Sequence, residues 1–471
     1  MKKSIGAVVL ALLMCVLLVL SACTDPAGPP ATTGNGGTTT SGAPTTSAPP
    51  AVQATLTTES PYVLEGSRVV FTAGGVSGGS WTFTYADAEA DRVTQMVPDG
   101  ASCALRLNGT GSFTLTARNG EYEASCSVTV VPAENEVPVS DPMIYWHGRT
   151  RQTDSGMDIN NTAAGFEVRF YGKELRMQMT YTATAIYSIL VDGETDTEKQ
   201  LLNLATDKDS DGSYTLASFA EAGIHTVKIL KRTEESVART CLTGLTVIEG
   251  GLLPVETEYD LKIEIYGDSI TCGYGNMRPA GEADALKAET QNGLGTYATL
   301  VARELGAEYR VFAESGLGLY TNPYGTPYWL KDIYGNTSVR DTTPYPADAY
   351  VPDIIIINIG TNDCWAGNGS AGGNEPFRAE DYRAAYVAFV RGLMERYEGH
   401  DVTFFLCSGL MENVLAPTLS SIAEELTAEG HAVYSVEFAR TTANGHPLYA
   451  EHQKAAERLM DVIGPYLDGL I

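Results

Sequence analysis

The most regular hydrophobic pattern lies in the second half of the chain. After Leu253 apolar blocks alternate in period: LKIEIYG reads as a buried strand, TYATLVARELG as a helix with apolar residues at helical spacing, and YRVFAES as the next strand. DIIIINIG follows, and its four consecutive isoleucines suit a central strand covered on both faces. The helix YRAAYVAFVRGLMERYEG, the strand VTFFLCSG, a helix near Leu419 to Glu429, the strand AVYSVEF and a helix from Tyr449 complete the series. Alternation of this kind over residues 255–471 predicts an α/β domain with a parallel sheet between helices, whose sites gather at the carboxyl ends of strands.

The first half has a period of two. FEVRFYG, LRMQMTY, YSILVDGE, SYTLASF and HTVKILKRT predict a β-domain over 138–250, read as a jelly roll. SRVVFTAGG, SWTFTYAD, SFTLTARNG and SCSVTVV, separated by glycine-rich turns, predict an immunoglobulin-like β-sandwich over 52–132. Within it Gly75-Val76-Ser77-Gly78-Gly79 matches the lipase elbow G-x-S-x-G formally, but an elbow needs a helix after it and a β-turn fits better here. Residues 23–51 are Pro, Thr, Ser, Gly and Ala with almost no charge, which predicts a flexible linker. Residues 1–22, with Lys2 and Lys3 before an apolar run, read as an export signal. LSAC resembles the bacterial lipobox, which implies lipidation at Cys23 and an extracellular protein anchored to the bacterial cell membrane; a soluble secreted protein and a retained membrane helix are the alternatives.

Composition narrows the function. A chain of 471 residues exceeds one core, and 44% hydrophobic with 19% charged residues is globular. The formal net charge of -27 excludes nucleic-acid binding through a broad basic face and favours a neutral substrate such as a polysaccharide. Cysteine spacing shows no C-x-x-C, so a metal cluster is not expected, and Cys103 with Cys126 is a candidate disulfide.

Four segments carry candidate chemistry: Gly267-Asp268-Ser269-Ile270-Thr271, Ser315-Gly316-Leu317-Gly318, Gly360-Thr361-Asn362-Asp363 and Gly445-His446-Pro447. The first three follow predicted strands, so one sheet edge can gather them. A serine hydroxyl needs a base, and imidazole titrates near neutrality without special burial. These blocks resemble the SGNH (GDSL-like) hydrolase superfamily. The stretch from Gly267 to Gly275, the segment Ser315 to Tyr320, Gly-Thr-Asn-Asp and His446-Pro447 with His452 are most similar to carbohydrate esterase family two, as are Gly148-Arg149-Thr150, Val191-Asp192-Gly193 and HTVKILKR upstream.

The resemblance, over about residues 138 to 471, implies a three-layer αβα SGNH domain behind a jelly roll, with no cofactor and no metal. It implies Ser269 as nucleophile, His446 as base, and an oxyanion hole from the N–H groups of Ser269 and Gly316 and the Asn362 amide, with Gly318 as substitute for Gly316. Asp268 and Asp363 are read as acids that organise loops, and His452 as a packed or capping residue. The chain departs from the family pattern before the histidine, where Ala443 and Asn444 stand instead of an acid and Gly445 instead of an aromatic. A Ser–His dyad held by a backbone carbonyl, or weakened catalysis, is therefore expected. Trp365 and Tyr320, with Tyr324, Tyr328 and Trp329, are candidates for a sugar-stacking surface. The implied activity is removal of O-acetyl groups from xylan, glucomannan or related oligosaccharides. A lipase or thioesterase acting on another ester, and a carbohydrate-binding surface protein with an impaired site, remain the alternatives. Gly367 to Gly372 spells G-x-G-x-x-G but leads into more loop, so it reads as a loop by the active site without a dinucleotide.

Overall fold

The computed structural model describes residues 52–204, 212–325, 328–366 and 376–467. The export signal, the linker, Cys23 and the Gly367–Gly372 motif lie outside the described residues. The described chain from Gln53 onward forms one compact unit.

Its last part is a five-stranded parallel sheet in the order Glu308–Ala313, Lys262–Gly267, Ile354–Asn358, Thr403–Leu410, Val433–Arg440. The isoleucine strand shows why the run is uninterrupted. Ile354 and Ile356 face one layer, with Tyr297, Val301, Leu459 and Ile463 from the helices Tyr297–Glu304 and Tyr449–Leu467. Ile355 and Ile357 face the other, with Tyr386, Phe389, Leu419 and Ile422 from the helices Ala379–Arg396 and Ala416–Ala428. Both faces are dry, so neither parity can be polar. The chain order reverses direction between Lys262–Gly267 and its neighbours Glu308–Ala313 and Ile354–Asn358. That switch opens a crevice at their carboxyl ends, the usual position for a ligand site in such sheets.

Ahead of this domain stands a ten-stranded sheet built around two long antiparallel strands, Gly165–Tyr181 and Ser213–Lys231. Glu134–Val137 pairs with its strand Thr240–Ile248, so this sheet begins before residue 138. Residues 55–131 form two four-stranded sheets around a shared core of Phe71, Leu105, Phe113 and Leu115. The Gly75–Gly79 segment is a turn after the strand Arg68–Gly74 and no helix follows it. Cys103 and Cys126 are both free thiols, so the candidate disulfide is not formed.

The β-domain is locked to the parallel sheet by a buried charge. Arg149, 1% exposed, sends Nη2 to Glu264 Oε1 at 2.8 Å and to the Tyr266 hydroxyl at 2.7 Å, and Nη1 to the carbonyls of Tyr334 and Asn336. Tyr266 and Tyr397 donate to Glu264 Oε2, which satisfies the carboxylate. Burial pushes Glu264 up, yet the Arg149 guanidinium and these hydroxyls hold it below its ordinary value. Removing one partner of such a pair strands the other charge in a dry interior. Arg149→Ala is expected to destabilise the folded chain by about 3–5 kcal/mol, read as a lowered denaturant midpoint. A midpoint equal to wild type would contradict the lock.

Candidate active site

Three strand ends and one turn converge on a single cleft. Ser269 starts the short helix Ser269–Cys272 directly after Lys262–Gly267, with Asp268 as its N-cap; Asp268 Oδ1 accepts the Ile270 N–H at 3.0 Å. Ser315 and Gly316 follow Glu308–Ala313, Asn362 lies in the helix Thr361–Ala366 behind the isoleucine strand, and His446 sits in the turn between Val433–Arg440 and Tyr449–Leu467. Ser269, Gly316, Asn362 and His446 together line a cleft of 260 Å³. Larger hollows exist, such as one of 550 Å³ lined by Lys228, Tyr259 and Arg303, but the reactive contact lies in the smaller cleft.

That contact is His446 Nε2 to Ser269 Oγ, 2.7 Å. On the far side of the ring, Nδ1 lies 2.8 Å from Asp284 Oδ2, and the same oxygen accepts the His446 backbone N–H at 2.8 Å. A carboxylate on Nδ1 fixes that nitrogen as the donor and leaves the Nε2 lone pair facing the hydroxyl. The structure therefore corrects the expected dyad: the acid missing at 443 and 444 is supplied by Asp284, 162 residues earlier in the chain. Gly445 makes this possible. Its φ is +104°, and a Cβ there would overlap Asp284 Oδ2. The aromatic expected at 445 is absent for a steric reason, since a side chain and this carboxylate cannot share the space.

The surroundings hold both partners. Arg278 donates from Nη2 to the His446 carbonyl at 2.7 Å and from Nη1 to the Gly275 carbonyl at 2.8 Å, and its Nη1 lies 3.5 Å from Asp284 Oδ1. The Tyr274 ring stacks on the imidazole at 4.1 Å between centroids. Burial lowers the His446 pKa below its ordinary value, and the hydrogen bond and charge of Asp284 work in the opposite direction. An imidazole that stays neutral is one that can accept a proton.

The candidate oxyanion donors Gly316 and Asn362 line the same cleft. Gly316 has φ +84°, and the nearest atom to a Cβ there would be Tyr324 Cδ2 at 3.1 Å, so a side chain is disfavoured twice. Its N–H donates to no acceptor among the described residues. Asn362 Nδ2 donates to the Leu317 carbonyl at 2.9 Å and makes a longer 3.3 Å contact to Asp268 Oδ2, the weaker bond and the one easier to exchange. Gly318 does not line the cleft; its carbonyl accepts the Leu330 N–H. Asp363 accepts the N–H groups of Leu319, Tyr320 and Thr321, which organises the loop after Gly318 as expected of it.

The aromatic candidates divide. Trp365, 43% exposed, and Tyr324, 60% exposed, line the cleft. Tyr320 does not: its ring packs against the core and its hydroxyl accepts the Arg378 N–H at 2.7 Å and donates to the Arg378 carbonyl. Tyr328 also packs against that core. His452 is fully buried, with Nδ1 accepting the Tyr297 N–H at the start of its helix, and burial lowers its pKa to about 3.

Comparison with known proteins matches two regions of the chain. The family model for the carbohydrate esterase 2 N-terminal region matches residues 146–255, and that for the GDSL-like lipase/acylhydrolase family matches residues 265–461. The chain is 29% identical over 342 residues to cellulase/esterase CelE of Acetivibrio thermocellus, covering 69% of this chain and 40% of that protein's length. It is 28% identical over 311 residues to an acetylxylan esterase/glucomannan deacetylase of Cellvibrio japonicus, covering 64% of this chain and 80% of the relative. Among solved structures, a family two carbohydrate esterase from Clostridium thermocellum in complex with cellohexaose superposes with a TM-score of 0.60 at 27% identity, over 70% of this chain and 100% of that one.

Proposed function

We propose that this chain, a GDSL-like hydrolase most like the carbohydrate esterases of family two, is a serine esterase that removes acetyl groups from polysaccharide hydroxyls. The observation that carries the reading is the unbroken chain Ser269 Oγ, His446 Nε2, His446 Nδ1, Asp284 Oδ2, with steps of 2.7 and 2.8 Å, opening on a small cleft. Ser269 Oγ attacks the acetyl carbonyl carbon as His446 Nε2 takes the hydroxyl proton, and Asp284 stabilises the imidazolium. Negative charge on the carbonyl oxygen is met by the N–H groups of Ser269 and Gly316 and by the Asn362 amide, each such donor worth roughly 3 kcal/mol. The C–O bond to the sugar breaks as His446 returns the proton to the departing oxygen. Water, deprotonated by the same nitrogen, then releases acetate and restores the serine hydroxyl.

A cleft of 260 Å³ suits an acetyl group better than a long acyl chain, which weighs against a lipase. The ordered triad weighs against an impaired binding protein. Acetate release from acetylated xylan and glucomannan, set beside release from a long-chain ester, tests the reading; faster cleavage of the long chain would overturn the assignment. Trp365 and Tyr324 stand at the cleft rim, where a sugar ring can stack. Trp365→Ala is expected to raise KM for an acetylated polymer by about 3- to 10-fold more than KM for a small acetyl ester. Equal changes for both substrates would deny Trp365 a part in holding the chain. The sandwich over 52–132 lies outside both family models, and we keep for it the immunoglobulin-like reading of its strand pattern.

A further inference from the structure

We propose that Glu234, in the β-domain segment after the strand Ser213–Lys231, is a positioning residue for the oxyanion-hole amide of Gly316. The role rests on the esterase reading above. Glu234 is fully buried, and each of its carboxylate oxygens accepts a bond from Ser315: Oε2 from the N–H at 2.6 Å and Oε1 from the hydroxyl at 2.7 Å. Charge-assisted bonds of this length are among the stronger ones a protein makes. Ser315 supplies the carbonyl half of the peptide whose N–H belongs to Gly316. Gripping Ser315 at both backbone nitrogen and side chain fixes how that peptide is turned, and hence where the Gly316 N–H points. The Leu317 N–H closes the same turn on the Glu314 carbonyl at 3.1 Å.

The grip is itself anchored. The Glu234 N–H donates to Gln291 Oε1 at 3.1 Å, and its carbonyl accepts from the N–H groups of Val237 and Ala238. Two residues before Glu234, the Arg232 carbonyl accepts the Gly293 N–H at 2.9 Å, which ties the same β-domain segment to the loop behind Ser269. The β-domain thus reaches into the catalytic domain at the turn that carries the Gly316 amide, one of the oxyanion donors. Oxyanion donors act only when held at the right distance beforehand, and small displacements are costly. The β-domain is on this account a structural part of the catalytic site and more than a spacer.

The test uses the full chain with Glu234→Ala, Glu234→Gln and Ser315→Ala. Four quantities are read: kcat and KM for a small acetyl ester, the inhibition constant of a trifluoromethyl ketone, and the thermal midpoint. The ketone adds to a serine hydroxyl and places an oxyanion in the hole. Glu234→Ala should lower kcat by roughly 100-fold, weaken the ketone in proportion, and leave KM within about threefold. Glu234→Gln should recover part of both losses, because one amide oxygen still accepts one of the two bonds; it also carries the test if the alanine variant does not fold. Ser315→Ala should lose less than Glu234→Ala, since the backbone bond survives. A lowered midpoint with kcat and ketone affinity at wild-type values would reduce Glu234 to cement and overturn the role. A wild-type chain that releases no acetate would remove the esterase reading and this role together, whereas an active chain with unaffected variants removes this role alone.

Discussion

Replacing Asp284 by asparagine is expected to lower kcat for acetyl-ester hydrolysis by about 10³- to 10⁴-fold while leaving the fold intact. Asp284 Oδ2 accepts from both the His446 ring and the His446 backbone. An asparagine can turn its NH₂ toward Nδ1, which then becomes an acceptor and leaves the proton on Nε2, where it blocks the serine. The pH profile should move in a definite direction. Asp284 raises the His446 pKa against the lowering effect of burial, so its removal lets the pKa fall further, and the acid limb of kcat/KM shifts to lower pH. Rates across that limb for wild type and variant check both statements. A dyad held by a backbone carbonyl would instead leave the rate within a few-fold and the limb unmoved.

The largest loss is expected from Ser269→Ala, about 10⁶-fold in kcat. The Ser269 hydroxyl bonds only His446 among the described residues, so deleting it should leave the thermal midpoint close to wild type. Substrate should still bind, because the cleft walls are unchanged. Initial rates with a small acetyl ester, with binding followed separately by calorimetry on an acetylated oligosaccharide, separate lost chemistry from lost binding. Retention of more than a small fraction of the wild-type rate would assign the chemistry to another residue.

Much of this arrangement is legible in the sequence. Four isoleucines in a row can satisfy a strand only when both faces are dry, and Ile354 to Ile357 divide between the two helical layers. Ser269, Gly316 and Asn362 each abut the end of a strand, so a parallel sheet brings them to one edge whatever the loops between do. Asp284 was not legible. It lies among Glu282 and Glu289 in a stretch without periodicity, and nothing local links it to a histidine so far along the chain. The signal that could have found it is paired: no acid at 443 or 444, and a glycine at 445 where a side chain would block an acid arriving from elsewhere. Glu234 was hidden for a different reason. Thr233-Glu234-Glu235-Ser236 reads as a wet turn at a strand end, and only the docking of two domains buries it. Tyr320 was misread because an aromatic ring near a site can as well be packing, and its hydroxyl is tied to Arg378.

The proposed reaction passes the acyl group through one oxygen atom, Ser269 Oγ. Rapid quenching of the wild-type chain and of Asp284→Asn with an activated acetyl ester, followed by peptide mass analysis, reads this directly. The prediction is one added acetyl on the peptide carrying Ser269, lost in Ser269→Ala and longer-lived in Asp284→Asn. An acetyl group on a different residue, or rapid turnover in Ser269→Ala, would contradict it.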